Sequence, residues 1–312
     1  MRERSGGPGL LPLAALLVTV CLWASSFAVM KVAIGTFGAG FVVWSRMAVA
    51  VAVLLPAAPR ILARAAWRPG DWKWLGLMAL LQPCLYFLLE ANALRYTTSS
   101  QAGMISALLP LMVCAGAGLL LGERTTARTW AGCAVSALGV AWLTWLSAPS
   151  ETASDPVLGN LLEVGAMASS AGFMLLVRRL AAHYDADLLT LVQFGTGALF
   201  FLPGALDAAP WRALASPWAA ASLLYLGVFV TLGAFGLWNW ASRRVPASRA
   251  SALVNLMPVI AVGLGLGFLD ERLSPMQGLA CAVVVGGVLI SQWRGAGPEK
   301  PARQGVSSPA RP

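Results

Sequence analysis

ALRYTTSSQAGMISALLPLMVCAGAGLLLGERTTARTWAG (Ala93–Gly132) and ASRRVPASRASALVNLMPVIAVGLGLGFLDERLSPMQG (Ala241–Gly278) are two versions of one stretch. A gapless shift of 148 residues lays Phe87–Val140 on Phe235–Val288. Pro110 then falls on Pro258, Ser100 on Ser248, Arg95 on Arg243 and Glu123-Arg124 on Glu271-Arg272. Cys133-Ala134-Val135 and Gly139-Val140 also recur, at 281–283 and 287–288. Earlier in each half a shift of 144 lays Ala24-Ser25-Ser26 on Ala168-Ser169-Ser170. A biased composition supplies apolar coincidences freely, but not a proline and a Glu-Arg pair at the same separation, twice.

The runs inside the repeat are long enough to cross a bilayer, which takes roughly 20 apolar residues. The whole chain has that character. Of its 312 residues 58% are apolar and 11% charged, against about 25% charged in ordinary soluble domains, and the mean hydropathy is +0.72. Ten apolar runs can be drawn, at about 10–30, 40–58, 73–93, 99–121, 128–147, 158–177, 188–206, 218–240, 249–269 and 276–293. The first reads as a retained helix, because it lacks a clean small-residue cleavage site. The composition leaves no room for a large extramembrane domain. The predicted fold is an all-α integral membrane protein of ten transmembrane helices, built as one repeat at 10–147 and a second at 158–293. The tail 294–312 is polar and Gly/Pro-rich and is expected to be disordered.

Charge placement fits this frame. With the N-terminus inside, 17 of the 22 Lys and Arg fall on the cytoplasmic side and 4 on the other, leaving Arg46 within a span. The positive-inside rule accounts for such a bias, so the net charge of +9 calls for no nucleic-acid partner. Five helices per half is an odd number, so the halves enter the membrane in opposite orientation, as in many secondary transporters. Cys21, Cys84, Cys114, Cys133 and Cys281 sit in apolar runs without metal or disulfide spacing, and His183 is the only histidine.

LWASSFAVMKVAIG (Leu22–Gly35) and WSRMAVAVAVLLP (Trp44–Pro56), together with the duplicated stretches and their GER and DER triplets, resemble the EamA-type members of the drug/metabolite transporter superfamily. One departure is Ala24-Ser25, where the family commonly has a glycine after the tryptophan. The resemblance implies a ten-helix bundle around a central cavity. It also implies a multi-pass protein of the bacterial inner (plasma) membrane, with both termini cytoplasmic, that exports amino acids or other small metabolites.

Candidate site residues follow from the cost of polarity inside a membrane. Arg46, Glu90 and Glu163 are ionisable residues within predicted spans, all in the outer half of the bundle. Each costs on the order of 2.5–3.5 kcal/mol there unless compensated. Arg46 is expected to face the cavity, to pair with Glu90 or Glu163 and to attract a substrate carboxylate; the alternative is a structural anchor with the two acids snorkelling to the interface. Pro110 and Pro258 are matched interruptions that kink their helices or line the cavity. Ser25, Ser26, Ser169 and Ser170 form a repeated pair expected to meet at the pseudo-two-fold axis, and packing alone is the simpler role. Gln193, Asn239 and Asn255 have more hydrogen-bonding capacity than a helix satisfies, and Tyr86 and Trp238 could wall a cavity. The glycines of GLGLG (Gly263–Gly267) follow no strand, so they read as helix contacts and not as a nucleotide loop.

Export of a small molecule by alternating access is the leading function, with protons as a candidate coupling ion. Import or exchange of sugar or phosphorylated metabolites on the same fold is the alternative, and a membrane-embedded enzyme is disfavoured because no catalytic constellation lies in the spans. No cofactor or metal is called for. The expected partners are the bilayer and the substrate, and the expected state is a monomer or weak homodimer.

Overall fold

The computed structural model describes residues 10–121, 126–181, 183–206, 216–242 and 253–292. Among these it is helical, without strands, and each of the ten apolar runs contains helix, several of them interrupted by turns. The predicted tail and the Glu123-Arg124 pair lie outside the described residues. The first half comprises α1 (Leu10–Phe37), α2 (Ala39–Leu54), α3 (Ala58–Arg64), α4 (Trp72–Ala79), α5 (Tyr86–Tyr96), α6 (Ser99–Ile105), α7 (Leu108–Leu121) and α8 (Ala127–Trp145). The second comprises α9 (Pro156–Leu180), α10 (Ala186–Phe200), α11 (Pro217–Leu224), α12 (Ala234–Ser242), α13 (Met257–Phe268) and α14 (Pro275–Gln292).

Five helical stretches are long and apolar enough to cross a membrane: Leu10–Phe37, Trp72–Tyr96, Ser99–Leu120, Pro156–Val177 and Pro217–Trp238. The pair α2 and α3, bent by 76°, makes a sixth, and Ala186–Phe200, Met257–Phe268 and Pro275–Ser291 are shorter apolar helices. Leu119, Leu120, Leu138, Leu199 and Phe268 point outward, as side chains facing lipid do. The interior gathers Phe27, Met30, Phe41, Met47, Phe87, Phe194 and Leu226 in one cluster and Ile105, Leu143, Met167 and Val284 in another.

The third long helix of each half is broken, which the apolar runs did not reveal. Between α4 and α5 the chain passes through a kinked segment, Leu80–Leu85, and between α11 and α12 through a longer, π-helical one, Tyr225–Gly233. In the first, Pro83 lacks an N–H and forces the preceding residue out of the helical region; Gln82 is extended at φ −146°, ψ 117°. In the second, the Thr231 hydroxyl donates to the carbonyl of Leu226, 2.7 Å away and five residues back. The two segments are 6 and 9 residues long. That difference accounts for three of the four residues by which the repeat shift grows from 144 to 148: Leu80 and Tyr225, which open the two segments, are 145 residues apart, and Tyr86, which opens α5, lies 148 residues before Ala234, which opens α12.

Pro110 and Pro258 behave differently from the mid-helix kinks expected. The helix breaks just before them, and each sits in the first turn of a new segment, α7 and α13. Proline is tolerated there because the first-turn N–H groups have no partner to lose.

Helices α8 and α14 cross closely at repeat-equivalent positions. Ser136 Oγ donates to Val284 O at 2.9 Å, and these residues are themselves 148 apart. Gly132 lies against Gly287 and Ser291, and Gly139 against Val283 and Val284. Early residues of one helix thus meet late residues of the other, so the two run antiparallel. Apolar burial gives little drive between helices in lipid, and small residues that allow close backbone approach provide the contact instead. A Cβ on Gly132 would stand 2.5 Å from Gly287 O and 2.6 Å from Ser291 Cβ. Gly132→Ala is therefore expected to lower stability by about 1–3 kcal/mol, read as a drop in the melting temperature in detergent; an unchanged value would mean that the crossing is loose.

Candidate functional site

The three ionisable residues placed inside spans by the sequence are buried in protein: Arg46 is 4% exposed, Glu90 4% and Glu163 0%. None of them snorkels. Arg46 projects from α2 into the main core. Its Nε donates to Thr231 Oγ1 at 3.3 Å, its Nη1 lies 3.0 Å from Met30 Sδ, and its Cζ stands 4.8 Å from the centre of the Phe87 ring. The expected ion pair with Glu90 or Glu163 is not among these contacts. The guanidinium is held by a hydroxyl, a sulfur and an aromatic face, of which the ring supplies a cation–π attraction.

Tyr86 connects the trio. Its hydroxyl donates to Glu90 Oε1 at 2.5 Å, and it lies within electrostatic reach of Arg46 and Glu163. The two residues share one face of α5, one turn apart. Glu163, on α9, is the extreme case, since neither carboxylate oxygen has a hydrogen-bond partner among the described residues. Gln193 on α10 is similar, buried with an unpartnered Nε2. Such atoms are costly to leave unmade, about 1–3 kcal/mol each and more for charged groups, and they mark positions where a ligand can supply the missing bond.

The repeated serines do not hydrogen-bond to one another; each pair packs against the broken helix of the other half. Ser25 Oγ and Tyr225 OH are 2.6 Å apart, and Ser169 Oγ donates to Leu81 O at 2.8 Å. Tyr225 and Leu81 are 144 residues apart, as Ser25 and Ser169 are, so these are equivalent contacts in the two halves. Ser170 Oγ donates to Gln82 Oε1 at 3.3 Å, while Ser26 Oγ donates to its own helix at Trp23 O, 2.7 Å away. Ser25 also borders an apolar crevice of about 400 Å³ between α1, α11 and α13, lined by Val29, Val32, Leu264 and Phe268. Trp238 packs on Trp23 with ring centres 5.3 Å apart. Asn255 falls in the turn before α13, half-buried, and the Asn239 side chain lies outside the described residues.

Sequence reasoning missed a second polar centre, at the turn between α5 and α6. Lys31 Nζ donates to Leu94 O at 3.0 Å and to Thr97 O. Glu271 accepts from Ser99 N (2.7 Å), Ser100 N (2.9 Å) and Ser100 Oγ (2.5 Å). Next to it the Thr97 hydroxyl donates to Asn160 Oδ1 at 2.7 Å, and Asn160 Nδ2 to Gln101 Oε1 at 2.8 Å. The available signals were Glu271 and Ser100 recurring with the repeat, and Lys31 standing in an otherwise apolar helix.

The EamA-like transporter family matches this chain twice, over residues 10–145 and 157–293. The uncharacterized transporter YetK of Bacillus subtilis (strain 168) is 28% identical over 66% of this chain and 64% of its own length. A probable terminal-alkyne amino-acid exporter of Streptantibioticus cattleyicolor is 26% identical over 95% of this chain and 97% of its own. A solved crystal structure covers 90% of this chain and 96% of its own, with a TM-score of 0.56 at 20% identity, a likeness of fold. The two matched halves divide between them the helices that carry Arg46, Glu90 and Glu163, and the chain belongs to the EamA-like transporter family of membrane transporters.

Proposed function

We propose that this protein is a secondary transporter of the bacterial inner membrane that exports a small zwitterionic metabolite of the amino-acid type by alternating access. The observation that carries the reading is the buried trio. Arg46 offers planar, charged donors suited to a carboxylate, while Glu163, with both oxygens unpartnered, lacks what an ammonium group would supply. Tyr86 and Glu90 lie between them. A molecule with a carboxylate at one end and an amine at the other satisfies both sides at once, whereas a phosphorylated sugar would bring further negative charge towards two carboxylates. The name of the Streptantibioticus relative, a probable amino-acid exporter, points the same way.

The reading uses ten spans in two inverted halves, with both termini cytoplasmic. The antiparallel α8–α14 crossing at equivalent residues supports it. So do contacts between segments assigned to the same side: Glu271 with Ser99 and Ser100, and, at the opposite end, Tyr184 OH donating to Asp71 Oδ2 at 2.9 Å. Glu163 is the proposed carrier of a coupling proton, exchanging it for the substrate amine.

The test is metabolite release from overexpressing bacterial cells, with amino acids quantified in medium and cytoplasm against an empty-vector strain and an Arg46→Ala control. Selective accumulation outside, abolished in a control that reaches the membrane in equal amount, is the expected result. No change in any amino acid, or full release by Arg46→Ala, overturns the reading.

A further inference from the structure

We infer that Lys31 and Glu271 form a latch that holds the outer ends of the bundle together, and that the transport cycle proceeds through its release. The inference rests on the transporter reading and on inverted halves, and it is independent of the substrate.

The turn at residues 97–98 joins the end of α5 to the start of α6. It therefore brings together the unpaired carbonyls of one helix and the unpaired amides of the next, with opposite partial charges. Each set receives the matching ion. Lys31, reaching from α1, takes the carbonyls of Leu94 and Thr97. Glu271, reaching from the segment between α13 and α14, takes the amides of Ser99 and Ser100 and the Ser100 hydroxyl. The backbone is shaped to aim this carboxylate. Asp270, immediately before it, has φ 50°, a left-handed conformation that non-glycine residues adopt at a cost. The Glu271 N–H donates to Gly265 O at 3.3 Å. Residue 265 is glycine for a spatial reason: any Cβ there would collide with the Ser100 hydroxyl and the Glu271 carboxylate.

The Glu271 bonds cross from one half of the chain to the other, across the boundary that alternating access has to open, while the Lys31 bonds stay within the first half and fix the turn that receives Glu271. The latch is made of charges bound to backbone dipoles at a helix end. Groups of that kind can return to water when the ends part, so the contact can close and open repeatedly, unlike the close small-residue crossing of α8 and α14.

The experiment measures access at Ala102→Cys, a fully buried position one turn into α6, in full-length protein whose five native cysteines are replaced by alanine. A membrane-impermeant maleimide is applied to the outer face, without substrate. E271Q is expected to raise the labelling rate about tenfold or more, as the loss of a charge-assisted bond dictates, while the melting temperature stays within a few degrees. K31Q should act in the same direction. Ser100→Ala, which removes one of three bonds and keeps the carboxylate, should give a smaller rise, and it carries the test if E271Q fails to fold. An unchanged rate in folded E271Q or in Ser100→Ala overturns the inference. So does a rise that is equal from both faces and accompanied by a lowered melting temperature, which would mean a loosened fold. Because no substrate is present, failure here leaves the export assay untouched, and failure of that assay leaves this one interpretable.

Discussion

Replacing Arg46 by lysine is expected to cut export by roughly tenfold to a hundredfold although the positive charge is kept. The guanidinium makes two separate polar contacts at fixed angles, to Thr231 Oγ1 and Met30 Sδ, and lies over the Phe87 ring. An ammonium is a compact point charge, so it cannot hold that geometry and also present a fork to a carboxylate. A hydrogen bond to a charged group contributes about 1.5–3 kcal/mol, equivalent to that range of fold-change. The loss should fall mainly on the apparent KM in a reconstituted assay, because what is removed is the proposed contact to the substrate carboxylate. Full activity in Arg46→Lys would mean that charge alone suffices; a folded Arg46→Gln with intact export would remove Arg46 from the mechanism altogether.

The second large effect has opposite signs for stability and activity. Glu163→Leu should raise stability by about 1–3 kcal/mol, because it removes a fully buried carboxyl whose two oxygens have no partner. The same change should abolish export, since it removes the proposed contact to the amine and the coupling proton together. Glu163→Gln keeps the shape and hydrogen-bonding capacity and separates the two roles: substrate binding should persist in part, while dependence of export on a proton gradient disappears. Thermal melting in detergent and efflux from proteoliposomes read the two quantities. A Glu163→Leu protein that melts lower than the parent would show that the carboxyl is held by partners in the resting protein. One that still exports would show the group to be structural.

These residues were legible in the sequence because a charge in an apolar run of span length has few places to go. Arg46, Glu90 and Glu163 could be singled out from the run alone, and the helical segments follow from the same runs. Their partners could not be read. Thr231 sits in YLGVFVTLG (Tyr225–Gly233), which reads as plain apolar helix, and its π-helical geometry depends on the neighbouring helices as much as on its own composition. The one trace was the change of repeat shift from 144 to 148, whose location only the structure reveals. Pro110 and Pro258 were correctly marked as interruptions but assigned the wrong geometry, because a proline says that a helix is disturbed and not on which side the break falls. The Glu271 contact was beyond reach for a different reason: its partners Ser99 and Ser100 are 172 and 171 residues away, and no local pattern reports a pairing at that separation.

In the proposed alternating-access cycle, the unequal lengths of the two interrupting segments bear on which way the protein rests. A bundle duplicated without differences would be degenerate, its inward-open and outward-open forms equal in free energy and equally occupied. Here the second segment has 9 residues against 6 in the first, and its Thr231 engages Arg46, whose repeat equivalent at 190 is a threonine. That contact has no mirror image, so the degeneracy is lifted by whatever it contributes. A difference of about 1.4 kcal/mol already sets a ten-to-one resting occupancy. Thr231→Val, which keeps the volume and deletes the hydroxyl, should move the two occupancies toward parity, measurable as a change in the ratio of inner-face to outer-face labelling. Under the proposed cycle, the few residues that spoil the repeat would set its bias, while the repeat itself would supply the motion.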